Sequence, residues 1–117
     1  AALLQLLADE RGRWIFSADH QQARNEYAIS GLYRNKLVNA IIDRTFIDKT
    51  GTRWIIDYKT SRHEGSDREA FLNQEQQRYA GQLNRYGKLM QQMEDRPIKL
   101  GLYFPLLHGW REWEYKR

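Results

Sequence analysis

Two aspartates and a lysine carry the chemistry that this sequence can offer. The runs Ala40-Ile41-Ile42-Asp43 and Trp54-Ile55-Ile56-Asp57-Tyr58-Lys59-Thr60 each lead an apolar segment into an acid. Such segments suggest buried strands whose tips deliver carboxylates to one place. Between them lies Asp48-Lys49-Thr50-Gly51. A short polar loop closed by glycine between β-rich runs is the sequence form of a type I turn with a G1-type bulge. Folding there sets Asp43 across from residue 56 or 57, within diagonal reach. Two carboxylates that close cannot both stay ionised cheaply. A hard divalent cation resolves the repulsion, and Mg²⁺ takes one or two carboxylates together with substrate phosphate and water. Lys59 lies two residues past Asp57 and so shares its strand face. An ammonium there can orient an attacking water and neutralise developing charge. Acid, acid-x-Lys and a metal make, in principle, a centre for phosphodiester hydrolysis. Spacing alone leaves a plainer alternative standing, because Asp-x-Lys on a strand face is also the form of a solvated ion pair worth little.

Helices and strands must position these residues. Ala1, Leu3, Leu4, Leu6 and Leu7 give a helical apolar face that ends near Asp9 to Gly12, with no cap residue before it. An uncapped start without methionine reads as a fragment cut from a larger protein. Trp14-Ile15-Phe16 reads as a short extended connector. Alternation of Tyr27, Ile29 and Gly31 against Ala28, Ser30 and Leu32 predicts a strand over 25–33. Further strands are expected over 36–48 and 52–60, with a polar loop over 61–73. Tyr79, Gln82, Leu83, Tyr86, Leu89, Met90 and Met93 recur at three- and four-residue spacing, so residues 74–93 should form a long helix with these on one side. Pro97 stops it. A strand over 98–106 comes next, and the Trp110/Trp113 segment closes the chain as an edge strand or short helix. Helix, three strands, helix, strand is the order of an α/β sheet layered with helices.

Composition bounds the rest. With 117 residues the chain is one small domain or a piece of one, since domains run to roughly 100–200 residues. Aromatics at 13% are too many for a disordered chain. No apolar run approaches the roughly 18 residues of a membrane span, so no membrane partner is expected. The absence of cysteine excludes disulfides, thiolate zinc sites, iron–sulfur clusters and cysteine nucleophiles. The net charge of +4 is compatible with a polyanionic partner and does not by itself demonstrate one.

These residues match a known family. The run IIDRTFIDKTGTRWIIDYKTS, followed after a loop by YAGQLNRYGKLM, resembles the PD-(D/E)XK nuclease domain of the RecB/AddA type, found at the C-terminus of UvrD-like DNA helicases. The resemblance covers residues 26–105, with Glu26-Tyr27-Ala28-Ile29-Ser30 and Gly101-Leu102-Tyr103-Phe104-Pro105 similar to that domain's flanking strands. Asp-Tyr-Lys alone is a weak signal, whereas the ordered set of four elements is strong. The resemblance implies a restriction-endonuclease-like α/β core with a mixed central sheet flanked by helices. It implies Asp43 and Asp57 as metal-binding acids, the Tyr58 main-chain carbonyl as a further ligand, and Lys59 as the residue that activates water. Gln82 and Tyr86 match the Gln-x-x-x-Tyr pair that borders the site; at i and i+4 they face the same way. The implied cofactor is Mg²⁺, with Mn²⁺ able to substitute, no iron–sulfur cluster, and ATP only for an attached motor. The implied partner is DNA, delivered as a single strand by a helicase motor on the same chain during double-strand-break repair in the bacterial cytoplasm. A second subunit of the AddB/RecC type would accompany it.

The family usually takes another metal ligand from an upstream histidine in a Gly-x-x-x-His setting. His20, His63 and His108 lack that setting and read as surface residues, so the ligand is expected before Ala1 or is missing, and the isolated fragment is expected to bind metal weakly and to be weak or inactive as a nuclease. Arg44, Arg62, Arg85 and Lys88 are candidate phosphate contacts, with solvated faces as the alternative. Trp54, Trp110 and Trp113 could stack bases, although packing suits Trp54 better. Glu26 is a candidate third acid. The alternative function is a catalytically impaired nuclease-fold module that binds DNA or docks a subunit.

Overall fold

The computed structural model describes residues 9–63, 65 and 67–117. The apolar face expected over residues 1–7 lies outside the described residues. The described chain begins with Asp9, whose side chain accepts from the Arg11 N–H and caps helix α1, Glu10–Ile15. Asp9 therefore starts a helix where the sequence suggested that one ends. Trp14 and Ile15 are helical rather than extended, because the first short acceptor in the segment is a good N-cap.

Five strands form one sheet in the order β1-β2-β3-β4-β5: β1 Gln21–Tyr33, β2 Lys36–Ile47, β3 Arg53–Tyr58, β4 Ile98–Phe104 and β5 Gly109–Glu114. β3 and β4 are parallel and the other neighbours antiparallel. A parallel pair needs a crossover, and helix α2, Arg68–Gln91, supplies it. Its N-cap is Asp67, which accepts from the Ala70 N–H at 2.9 Å, so the helix takes in six residues of the expected 61–73 loop. Met93 lies beyond its end and is 53% exposed, not on the packed face. β4 stops at Phe104 and a 3₁₀ turn, Pro105–Leu107, turns the chain into the edge strand β5.

The β2–β3 turn has the expected chemistry. The Gly51 N–H donates to the Asp48 carbonyl at 3.1 Å and Gly51 has φ +83°, a conformation that favours glycine. The sheet separates two apolar layers. Ile29, Ile42, Ile55, Leu100 and Leu102 pack with Leu72, Leu83, Leu89 and Met90 of α2. On the other face Phe46, Trp54, Ile56 and Tyr103 pack with Ile15 of α1. Trp54 is core, edge-on to Trp14 with centroids 5.0 Å apart.

The β2 strand is irregular at one point. Ile42 packs toward α2, yet Arg44, two residues on, reaches the α1 layer. The alternation of β2 is broken at Asp43. Across the β1–β2 ladder Asn25 pairs Arg44 and Tyr27 pairs Ile42, so the residue facing Asp43 is Glu26, whose φ is +48°. Such local kinks re-aim a side chain.

Candidate active site

Register brings the two acids together. Arg44 pairs Ile56 on β3, so the next position sets Asp43 opposite Asp57. Asp43 Oδ2 accepts from the Tyr58 N–H at 2.9 Å, which fixes its carboxylate at the end of the hairpin. Asp57 is buried. Burial first, and the carboxylate of Asp43 next, push its pKa from the ordinary 3.8 up to about 6, although Lys59 pulls the other way. Lys59 Nζ lies 2.7 Å from Asp57 Oδ2 and 3.8 Å from the centroid of the Tyr79 ring. The lysine is thus held between a strand carboxylate and a helix aromatic, with 19% of its side chain exposed.

Tyr86 borders the same place from α2. Burial raises its pKa, opposed by the hydrogen bond from Gln82, and the charges of Asp57, Asp43 and Lys59 all act on it. Gln82 Nε2 donates to Tyr86 Oη at 2.8 Å, so the i, i+4 pair acts as one unit. Asp43, Asp57, Lys59, Gln82 and Tyr86 therefore converge where β2, β3 and α2 meet. Tyr58 contributes its N–H to Asp43, while its ring turns to the other layer against Phe16, with centroids 5.6 Å apart.

The expected phosphate contacts divide. Arg44 is buried, with Nε donating to the Ile15 carbonyl at 3.1 Å and Nη1 to Asn25 Oδ1 at 3.0 Å. Its guanidinium lies over the rings of Phe16 and Phe46. This placement corrects the expectation of a surface contact: the strand kink at Asp43 turns Arg44 inward to anchor α1. Arg62, Arg85 and Lys88 are exposed. Glu26 is exposed as well. Of the histidines, His108 is exposed as expected, whereas the rings of His20 and His63 are packed. His20 stacks on Phe46 at 3.8 Å and bonds the Trp14 carbonyl, His63 stacks on Phe71, and His108 is near Asp9.

Sequence reading misses Tyr79 as the partner of Lys59 and misses Glu75. Glu75 is buried, accepts from Ser61 Oγ at 3.3 Å and lies 3.7 Å from Arg78 Nη1. The signal is present, because 75, 79, 82 and 86 continue the helical spacing of the Gln-x-x-x-Tyr pair back toward the N-terminus of α2.

Among the described residues no group of three or more His, Cys, Asp or Glu is gathered as a metal cluster. The acid pair nevertheless fits a divalent cation. Its donors are all carboxylate oxygen, which suits Mg²⁺ or Mn²⁺, and two carboxylates are as many as Mg²⁺ commonly takes from a protein. Asp57 is buried beside a second carboxylate with Lys59 as its ion-pair partner, a setting that a bound cation would relieve.

A family model described as the PD-(D/E)XK nuclease superfamily matches residues 2–111. The chain belongs to the PD-(D/E)XK nuclease superfamily. The five-stranded mixed sheet with its helices is consistent with that nuclease-like fold, and members typically use divalent metal ions. A solved structure described as the crystal structure of SSO0001 is similar in fold, with a TM-score of 0.53 and 17% identity over 98% of this chain and 50% of that one. The chain thus spans half the length of that structure. No curated protein matches it.

Proposed function

We propose that this PD-(D/E)XK domain hydrolyses DNA phosphodiester bonds with Mg²⁺, acting as an exonuclease domain of the RecB/AddA type. The observation that supports this reading is the facing pair Asp43 and Asp57 with Lys59 ion-paired 2.7 Å from Asp57. Asp43 and Asp57 would hold the cation, with the Tyr58 main-chain carbonyl as a further ligand. When bound, the cation would polarise the phosphate and offset charge at its oxygens. Lys59, pinned by Asp57 and Tyr79, donates from Nζ to the attacking water and orients it toward phosphorus. The water oxygen bonds to phosphorus as the P–O ester bond breaks, water gives up its proton to solvent, and the leaving oxygen takes one. Gln82 and Tyr86 border the strand being cut. Burial of Asp57 keeps bulk water from screening these interactions.

The motif order supports a parent that carries a helicase motor and works with a second subunit of the AddB/RecC type in double-strand-break repair in the bacterial cytoplasm. The test is cleavage of end-labelled DNA with Mg²⁺. Asp57→Ala and Lys59→Ala should each abolish cutting. If both variants cut as fast as the parent chain, the reading is wrong.

A further inference from the structure

α2 sends a column of side chains toward the end of β3. Glu75, Tyr79, Gln82 and Tyr86 follow one another at four- and three-residue spacing, so they share one face of the helix. Gln82 and Tyr86 border the acid pair. Glu75 accepts from Ser61 Oγ at 3.3 Å and so ties the helix to the chain that leaves β3. Tyr79, one turn on from Glu75, meets Lys59 itself. Lys59 Nζ lies 3.8 Å from the centroid of its ring, the shortest cation–ring distance among the described residues; the next, Arg11 to Trp110, is 4.8 Å. Arg78 also approaches the Tyr79 ring, at 5.2 Å, but 69% of its side chain is exposed against 19% for Lys59. A cation drawn out of water gains more from an aromatic face than one left in it.

Two contacts aim the ammonium, and they differ in kind. The main chain of Lys59 is fixed, since its N–H donates to the Tyr103 carbonyl at 2.9 Å. From there a flexible four-carbon stem carries the charge, so an anchored backbone does not by itself place Nζ. The first contact is Asp57 Oδ2, at 2.7 Å. That carboxylate is shared, because in the nuclease reading it also holds the cation. The second contact is the ring of Tyr79, whose face attracts a cation through its quadrupole and is free of that other duty. Its place does not depend on Asp57. Tyr79 is half-buried and packs against the apolar layer between the sheet and α2.

We propose that Tyr79 is a positioning residue for the reaction: the face of its ring, and not its hydroxyl, keeps Lys59 Nζ beside the acid pair when the Asp57 carboxylate is engaged elsewhere. The inference rests on the nuclease reading and adds a residue to it. The competing account is that Tyr79 only fills space between helix and sheet, in which case an apolar side chain of similar reach serves as well. The short distance to Nζ and the low exposure of Lys59 favour the positioning role.

The test compares two variants of the 117-residue chain. Tyr79→Phe keeps the ring face and drops the hydroxyl, whereas Tyr79→Leu keeps apolar bulk and drops the face. The first readout needs no metal. The protons on Lys59 Cε, next to Nζ, sit in the ring current of Tyr79, so in NMR spectra recorded in chelator they should lie upfield of the ordinary lysine position. They should stay upfield in Tyr79→Phe and return to that position in Tyr79→Leu. The second readout is steady-state cleavage of labelled DNA with Mn²⁺, below the melting temperature of each variant. Tyr79→Leu should lower kcat about tenfold and leave KM within about twofold, since the lysine acts on the reacting atoms and not on DNA binding, while Tyr79→Phe should stay within about threefold of the parent chain. Ordinary Lys59 shifts in the parent chain would overturn the proposal, as would equal losses in the two variants. Absence of cleavage by the parent chain with Mg²⁺ or Mn²⁺ counts against the nuclease reading and takes the proposal with it, whereas cleavage that Tyr79→Leu leaves unaltered counts against Tyr79 alone.

Discussion

The two ends of β3 treat carboxylates in opposite ways. At the Arg53 end every charge is answered. Arg53 is buried and bonds Glu94 through Nε at 2.5 Å and Nη2 at 3.2 Å, with Gln22 taking a further bond at 2.9 Å. Asp48 accepts from Trp54 Nε1, from both the N–H and hydroxyl of Thr50, and from the Thr52 N–H. Burial alone would raise the pKa of Asp48, but these bonds outweigh it and hold the carboxyl below its usual range. At the Asp57 end two acids face each other, Lys59 pairs with Asp57, and burial and Asp43 raise the pKa of Asp57 to about 6. The carboxylates at the Asp57 end are less fully answered, by the Tyr58 N–H and by Lys59, which makes the acid pair the functional-site candidate.

That contrast can be broken from either end. The largest effect belongs to the site. Lys59→Ala should lower metal-dependent cleavage on the order of 10²- to 10⁴-fold, the usual reach of one positioned proton-handling group, and urea unfolding of the metal-free chain should show a loss of stability as well, because the buried Asp57 loses its ion-pair partner. At the other end Arg53→Ala should cost stability and spare cleavage. Stranding a half-buried carboxylate costs about 2–4 kcal/mol, at or below the range for a fully buried pair because Glu94 is partly exposed, and the site geometry should survive, as shown by retained cleavage below the new melting temperature.

The pH dependence sharpens the comparison further. Asp57 is raised in the fold, so the native state holds its proton where the unfolded chain has lost it. Stability of the metal-free protein should therefore fall as pH rises from about 4 through about 6, by roughly 2–3 kcal/mol in total. Asp48 and Glu94 are lowered, Glu94 chiefly by Arg53, and they contribute the opposite slope at lower pH, where stability is lost as they protonate. Chemical denaturation across pH should show Asp57→Asn flattening the first limb only and Asp48→Asn weakening the second only. The smallest effect is local: Gly51→Ala places a side chain at φ +83° with no atom within 4 Å of the new Cβ, so only backbone strain of about 1 kcal/mol is expected in thermal unfolding.

How much of this can be read from residues depends on the range of the forces involved. The β2–β3 hairpin is legible because Asp48 and Gly51 specify their turn locally, and the turn in turn fixes Asp43 opposite Asp57. The Gln82–Tyr86 unit is legible because helical spacing is periodic. Arg44 is misplaced by sequence because its position depends on a kink at Asp43 and a positive φ at Glu26, neither of which strand periodicity reveals. Tyr79 and Glu75 escape notice because their partners, Lys59 and Ser61, lie across a crossover from them. The start of α2 is hidden because Asp67 caps a helix whose first turn, Arg68-Glu69-Ala70, has no apolar stripe. His20 reads as a surface group because it sits in a polar connector, while its ring packs on Phe46 through tertiary folding alone.

The most direct test of the central claim is a calorimetric titration of Mn²⁺ into the chain and into Asp43→Asn and Asp57→Asn at about pH 7, above the raised pKa of Asp57. The account predicts saturable binding to the parent chain that each single substitution removes, with proton release growing as the pH approaches about 6. Identical titration curves for all three proteins, or no binding to any of them, would contradict it.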